Sequence, residues 1–126
     1  MPNYKLPKEL RNRMERELRQ YYDNKKKLDR LKNLLIQEKP KTTDPTGQKV
    51  VSFESTRTLL YLEERLHYVE NVYNQLRPYE QEIYDCIFRK AYNPTYCETQ
   101  ENIGKSTYYN VFNKSVYLLA LEWGEI

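Results

Sequence analysis

Glycine is nearly missing from this chain, with three residues in 126, and that scarcity argues against folds built on frequent tight turns, such as sandwiches and barrels. Histidine occurs once, at His67. No Ser, Cys or carboxylate stands at a telling spacing from it, no glycine-rich loop is present to cradle a phosphate, and no metal-ligand cluster can be spelled out. The expectation is a protein that is not an enzyme and takes no cofactor or metal. The two cysteines, Cys86 and Cys97, make neither a disulfide framework nor a redox spacing, so they read as small buried apolar residues in a reducing compartment. Met1–Leu10 has no apolar run, and no later stretch approaches the roughly 20 residues of a membrane span. The reading is a soluble, cytoplasmic protein with no membrane partner.

What is present favours helices. Charged residues make up 31% of the chain, and long segments run without Pro, which together predict an all-α fold. Thirteen residues are Tyr, used here as an amphipathic packing residue where a more apolar protein would use Leu or Phe. The net charge of +3 hides a division: residues 1–51 are strongly basic and residues 79–126 are acidic on balance. Any electrostatic attraction for nucleic acid must therefore come from the N-terminal part.

Taken in order, the chain predicts a first helix from about Lys8 to Glu38. Its heptad places Met14, Tyr21, Leu28 and Leu35 at one core position and Leu10, Glu17, Asn24 and Leu31 at the other. Leu18 and Tyr22 widen the stripe around the polar pair, so the middle of this helix is expected to pack less tightly than its ends. Arg11, Arg13, Arg16, Arg19, Lys25, Lys26, Lys27, Arg30 and Lys32 cover the remaining surface, as a solvated face or as phosphate contacts. Pro40 stops the helix. A connection over 39–51 follows, in which Asp44-Pro45-Thr46-Gly47 reads as a turn; Lys39, Lys41 and Lys49 are candidate phosphate contacts there, with Lys25, Lys26 and Lys27.

Ser52 is expected to open a second long helix whose seam, Leu59, Leu62, Leu66, Val69, Tyr73 and Leu76, alternates spacings of three and four. It should pack antiparallel on the first helix, within one chain or between two copies. His67 lies off this seam, at its rim. Arg77-Pro78 ends the helix and starts another over 79–91, with Ile83, Tyr84, Ile87 and Phe88 inward. After a sharp turn at Asn93-Pro94, a short helix over 96–101 carries Cys97 inward. The division expected is a basic helical hairpin over 1–76 and a trihelical helix-turn-helix over 77–126.

The last helix has the grammar of a reading helix. Asn102 tolerates a left-handed backbone, Ile103 is an anchor, and Gly104 is an allowed N-cap. Apolar residues at 108, 111, 112, 116 and 119 keep one face. The other collects Lys105, Ser106, Thr107, Tyr109, Asn110, Asn113 and Lys114: hydroxyls and cations suited to phosphates, and amides suited to adenine edges. The same pattern also describes an ordinary amphipathic helix in a bundle.

The basic first helix, the DPTG loop, the seam LLYLEERLHYVENVYNQL and the terminal IGKSTYYNVFNKSV together resemble the phage-encoded RinA and ArpU type of late-gene transcriptional activators. The resemblance runs from about Leu10 to Trp123. Its most specific parts are the DPTG loop and the ending, where Ile103, Ser106, Thr107 and Tyr109 match a pattern of the form I-S-R-S-T-x-Y-R. The resemblance implies a C-terminal part similar to the fourth region of sigma factors. It further implies a regulator working in a bacterial host, bound to double-stranded promoter DNA upstream of packaging and structural genes, with host RNA polymerase as partner. Lys105, Ser106, Thr107, Tyr109 and Asn110 would face DNA, and Tyr108 and Val111 the trihelical core. The chain departs from the family pattern at Gly104, where the family has Ser, at Asn110 and Phe112, where it has Arg, and at Glu101, where it has Leu.

Two other functions fit the same helices. One is a terminase small subunit or another DNA-packaging module, which would be a ring of many subunits where a regulator would be a monomer or homodimer. The other is a helical adaptor using the acidic surface of 79–101, with Glu80, Glu82 and Asp85 in the interface.

Overall fold

The computed structural model describes residues 4–37 and 45–126, with side chains described for 4–34 and 56–126. Every regular element among them is a helix: α1 (Lys8–Gln37), α2 (Pro45–Gln75), α3 (Pro78–Tyr84), α4 (Pro94–Gln100) and α5 (Lys105–Glu122), with a π-helical turn over Asp85–Arg89 continuing α3. None of these helices is long and apolar enough to cross a membrane. The first helix has nearly its predicted bounds. The second does not, because it begins at Pro45 and not at Ser52. Proline's fixed φ and missing N–H suit a first helical turn as well as a reverse turn, so the residues read as the end of a loop are the start of a helix. Asp44, Lys39 and Lys41 lie outside the described residues, and the side chain of Lys49 lies outside them too.

The chain forms two compact units, one of residues 1–20 with 68–126 and one of residues 21–67. The division thus falls inside both long helices, not at 76/77 as the sequence suggested. Within the 21–67 unit, Leu28 of α1 and Leu62 and Leu66 of α2 form a buried cluster, and Tyr21, Leu31 and Leu59 pack against it. Asn24 is buried here despite its polarity. Lys32 and Glu63 make an ion pair at 3.4 Å, too exposed to contribute more than about 1 kcal/mol.

The larger unit is organised by aromatic rings and the arginines over them. Met14 and Leu18 of α1 and Val69, Val72 and Leu76 of α2 are buried with Ile83, Tyr84, Ile87 and Phe88. Tyr73, Tyr84, Phe88 and Phe112 run as a chain of ring contacts, the last pair stacked at 5.6 Å. Arg11 lies 5.4 Å from the Phe112 ring centre, Arg19 5.4 Å from that of Phe88, and Arg13 5.9 Å from that of Trp123. Arg19 also donates to the Ile87 carbonyl, and Arg13 pairs with Glu125. Three cations of the basic first helix are therefore taken up by packing and cation–π attraction. The other end of α5 is fastened through Glu122, whose carboxylate accepts from Asn71 at 3.2 Å and Gln75 at 3.1 Å.

The widened turn at Asp85–Arg89 accounts for a local oddity of the sequence. Cys86, Ile87 and Phe88 are consecutive and all buried, which a helix face of ordinary pitch accommodates poorly, and the π geometry spreads them over one broad inward surface. The turn ends at Ala91, which has φ 57°, followed by Tyr92, whose N–H reaches back to the Cys86 carbonyl at 2.9 Å. A left-handed backbone at an alanine costs about 1–2 kcal/mol, and Ala91 is exposed, so no packing repays it. Replacing Ala91 by Gly is expected to raise stability by about 0.5–1 kcal/mol, read as a higher urea midpoint; an unchanged or lower midpoint would refute the strain.

Candidate nucleic-acid interface

The short helix α4 is set by its own sequence. Asn93 is extended (φ −78°, ψ 165°), and its Oδ1 accepts from the Tyr96 N–H at 2.7 Å, with Pro94 in the first turn. Inside the helix Cys97 is fully buried. Burial pushes the thiols of both Cys86 and Cys97 up, which keeps them protonated and inert.

At its end Asn102 turns left-handed with φ 56°, and the Ile103 N–H returns to the Cys97 carbonyl at 2.9 Å. Gly104 then takes the extended N-cap conformation of α5 (φ −60°, ψ 150°), without a side-chain cap. A Cβ there would meet nothing within 4 Å, so this glycine is a tolerated cap and not a steric necessity.

On α5, Tyr108, Val111, Phe112, Ser115, Val116, Leu119 and Ala120 are buried. The Tyr108 hydroxyl donates to the Tyr92 carbonyl at 3.3 Å, and Ser115 Oγ donates to the Val111 carbonyl at 2.7 Å. Of the residues singled out as DNA-facing, Lys105, Ser106, Thr107, Tyr109 and Asn110 are exposed, and Asn113 and Lys114 are partly covered. The helical repeat puts Ser106, Asn110 and Asn113 in one line along the side opposite the buried arc, and Tyr117 continues that line, its ring 5.3 Å from Tyr4.

Lys105 and Tyr109 stand to one side, above the first turn. Lys114 is engaged elsewhere. Its ammonium lies 3.0 Å from both carboxylate oxygens of Glu80, a residue whose side chain is only 8% exposed. Glu80 also accepts from the Arg77 N–H at 2.9 Å, closing the first turn of α3.

Glu80 is therefore part of the join between α3 and α5 and not part of an acidic outer surface. Asp85 is also half-covered, accepting from the Tyr73 hydroxyl at 3.4 Å, while Glu82 is exposed. The Arg77-Pro78-Tyr79-Glu80 spacing has the form of a capping signal, so one half of the role of Glu80 was readable in sequence. The other half was not, since nothing local links it to a lysine 34 residues later. Of the candidate phosphate contacts, Lys25, Lys26 and Lys27 are exposed on α1 in the 21–67 unit. Lys39 and Lys41 are not described, and Lys49 only as helix backbone.

Burial raises the Glu80 carboxyl, but the hydrogen bonds from Arg77 and Lys114 and the charges of both outweigh it and leave it below its ordinary 4.5. The stabilisation is then complete above that ordinary value and is lost as pH falls below it through the folded-state value. Glu80→Gln is expected to lose roughly 1–3 kcal/mol at neutral pH and to show a shallower fall of stability in acid. Urea unfolding at several pH values checks both, and an acid dependence identical to that of the parent chain would exclude the pair as its source.

Comparison with family models, with curated proteins and with solved structures gives no match to this chain, so the arrangement of its own side chains is what bears on function.

Proposed function

We propose that the chain is a sequence-specific DNA-binding regulator, with α4 and α5 as a helix-turn-helix and α3 as the third helix of a trihelical unit. In this reading the two long helices form an antiparallel hairpin before it. The observation that carries the proposal is the polar line Ser106, Asn110 and Asn113 on the outward side of α5. That line follows a seven-residue helix and a turn whose left-handed residue is Asn102.

The dimensions suit the task. A helix of this length enters a major groove end-on or lengthwise, and Asn is the side chain that pairs bidentately with adenine N6 and N7. Ser106 and Thr107, with Lys105, sit at the helix start, where backbone N–H groups and hydroxyls hold phosphates. Tyr109 offers a hydroxyl and a ring edge beside them. Phosphate attraction is modest, since Lys114 is neutralised by Glu80 and Glu98 and Glu101 are exposed on the neighbouring helix. Binding should accordingly depend on base contacts more than on charge, with Lys25, Lys26 and Lys27 as sources of further attraction.

Activation of late genes with host RNA polymerase is the fuller form of this proposal and rests on the resemblance to RinA- and ArpU-type activators. Exposed acids such as Glu82, Glu98 and Glu101 are the residues offered to a polymerase surface.

Asn110→Ala and Asn113→Ala should each weaken binding to a selected DNA site by about 1–3 kcal/mol while leaving the urea midpoint unchanged. The site is obtained by sequencing genomic fragments recovered on the purified protein at two salt concentrations. Uniform recovery that vanishes with salt, or affinity indifferent to both substitutions, would reject base reading by α5.

A further inference from the structure

We infer that the outward side of α2 between Arg57 and Glu64 is a contact with a second copy of this chain, arranged antiparallel about a two-fold axis passing between Leu60 and Tyr61. The inference is independent of the DNA reading. In the 21–67 unit, Leu59, Leu62 and Leu66 take the inward arc of α2. At 3.6 residues per turn, Leu60 and Tyr61 with Arg57 and Glu64 fall on the opposite arc. Leu60 is 57% exposed and Tyr61 53% exposed, and Arg57 and Glu64 are exposed beside them.

Two large apolar side chains adjacent on an outward helix face, one turn from a cation on one side and an anion on the other, are what a self-complementary patch requires. In an isologous interface residue i meets j and j meets i. With the axis between Leu60 and Tyr61, Leu60 meets Tyr61 of the second copy, and Arg57 meets Glu64 of the second copy. Each contact occurs twice. The opposite arrangement, with parallel helices, would set Arg57 against Arg57 and Glu64 against Glu64, so charge selects the antiparallel form.

Tyr61 is also held in place for this role. The Arg65 guanidinium lies 5.2 Å from its ring centre, one turn along the same helix, which restricts the ring before any partner arrives and lowers the ordering cost of association. The occupant is thus a second copy, because the patch carries its own complement of charge and shape.

The test is the mass of the full chain in solution by sedimentation, over a concentration series reaching the high micromolar range, with far-UV circular dichroism to show that each variant keeps its helices. The parent chain is expected to dimerise. Leu60→Lys and Arg57→Glu should each weaken the dimer by roughly tenfold or more, the second because it sets a carboxylate against Glu64 of the other copy at two places. Combining Arg57→Glu with Glu64→Arg restores opposite charges and should return the dimer to within about threefold of the parent. A parent chain that stays monomeric throughout overturns the inference, as does a dimer indifferent to Leu60→Lys or a double variant no tighter than Arg57→Glu alone.

Discussion

The larger unit depends on the burial of one face of α5. Phe112 is its centre, stacked on Phe88 from below and covered by the Arg11 guanidinium from α1. Val111, Val116 and Leu119 extend the same face, and each such side chain contributes roughly 1.5–3 kcal/mol relative to exposure. Because this face is fixed, the other is fixed as well. A helix cannot rotate to present Asn110 differently without pulling Phe112 from its stack, so the polar line is held at the precision of the core. The ion pair between Lys114 and Glu80 and the carboxylate of Glu122 on Asn71 and Gln75 secure the flanks of the same helix.

That arrangement changes the meaning of the positive charge in α1. Charge runs on helices are usually solvated faces, and Lys25, Lys26 and Lys27 behave so. Arg11, Arg13 and Arg19 do not, since each lies over an aromatic ring. A guanidinium is weakly hydrated and planar, so it can cover a ring while keeping part of its edge wet. Arginine in the first part of the helix and lysine in its middle therefore divide the two kinds of work, packing and solvation, along one continuous basic run.

Much of the fold was legible in the sequence because it rests on local rules. The seam through Leu62, Leu66, Val69 and Leu76 follows from helical spacing, and the extended Asn93, left-handed Asn102 and N-cap Gly104 follow from what each residue's backbone tolerates. Val72 was missed because position 72 fits the same three-four spacing as Tyr73, and tyrosine's ring suggested burial that its hydroxyl resists. Pro45 was read as a turn because proline suits both a turn and a first helical turn. What was not legible is non-local: a lysine on α5 meeting a glutamate on α3, arginines finding rings far along the chain, and a π turn imposed by three successive residues that all had an inward place to go. The candidate site divides in the same way. Exposure of Ser106, Thr107 and Asn110 follows from periodicity, whereas the withdrawal of Lys114 required the position of Glu80.

The withdrawal of that lysine bears on how such a surface could discriminate. A reading helix rich in free cations gains affinity for any duplex, and specificity must then be won against a high non-specific background. Here the outward line holds amides and hydroxyls, with Lys105 as its cation near the helix start and acids on the neighbouring helix. Such a face gains little from phosphates alone, so wrong sequences leave its amides unpaired without compensation. Low basal attraction is then a means of discrimination, provided that affinity is supplied elsewhere. Duplication supplies it economically: two copies on two half-sites convert the second contact into an intramolecular event with a high effective concentration, adding affinity where both half-sites are correct and little where they are not. A weakly charged reading face and a self-complementary patch on α2 are in that sense physically consistent with each other, although each stands on its own residues.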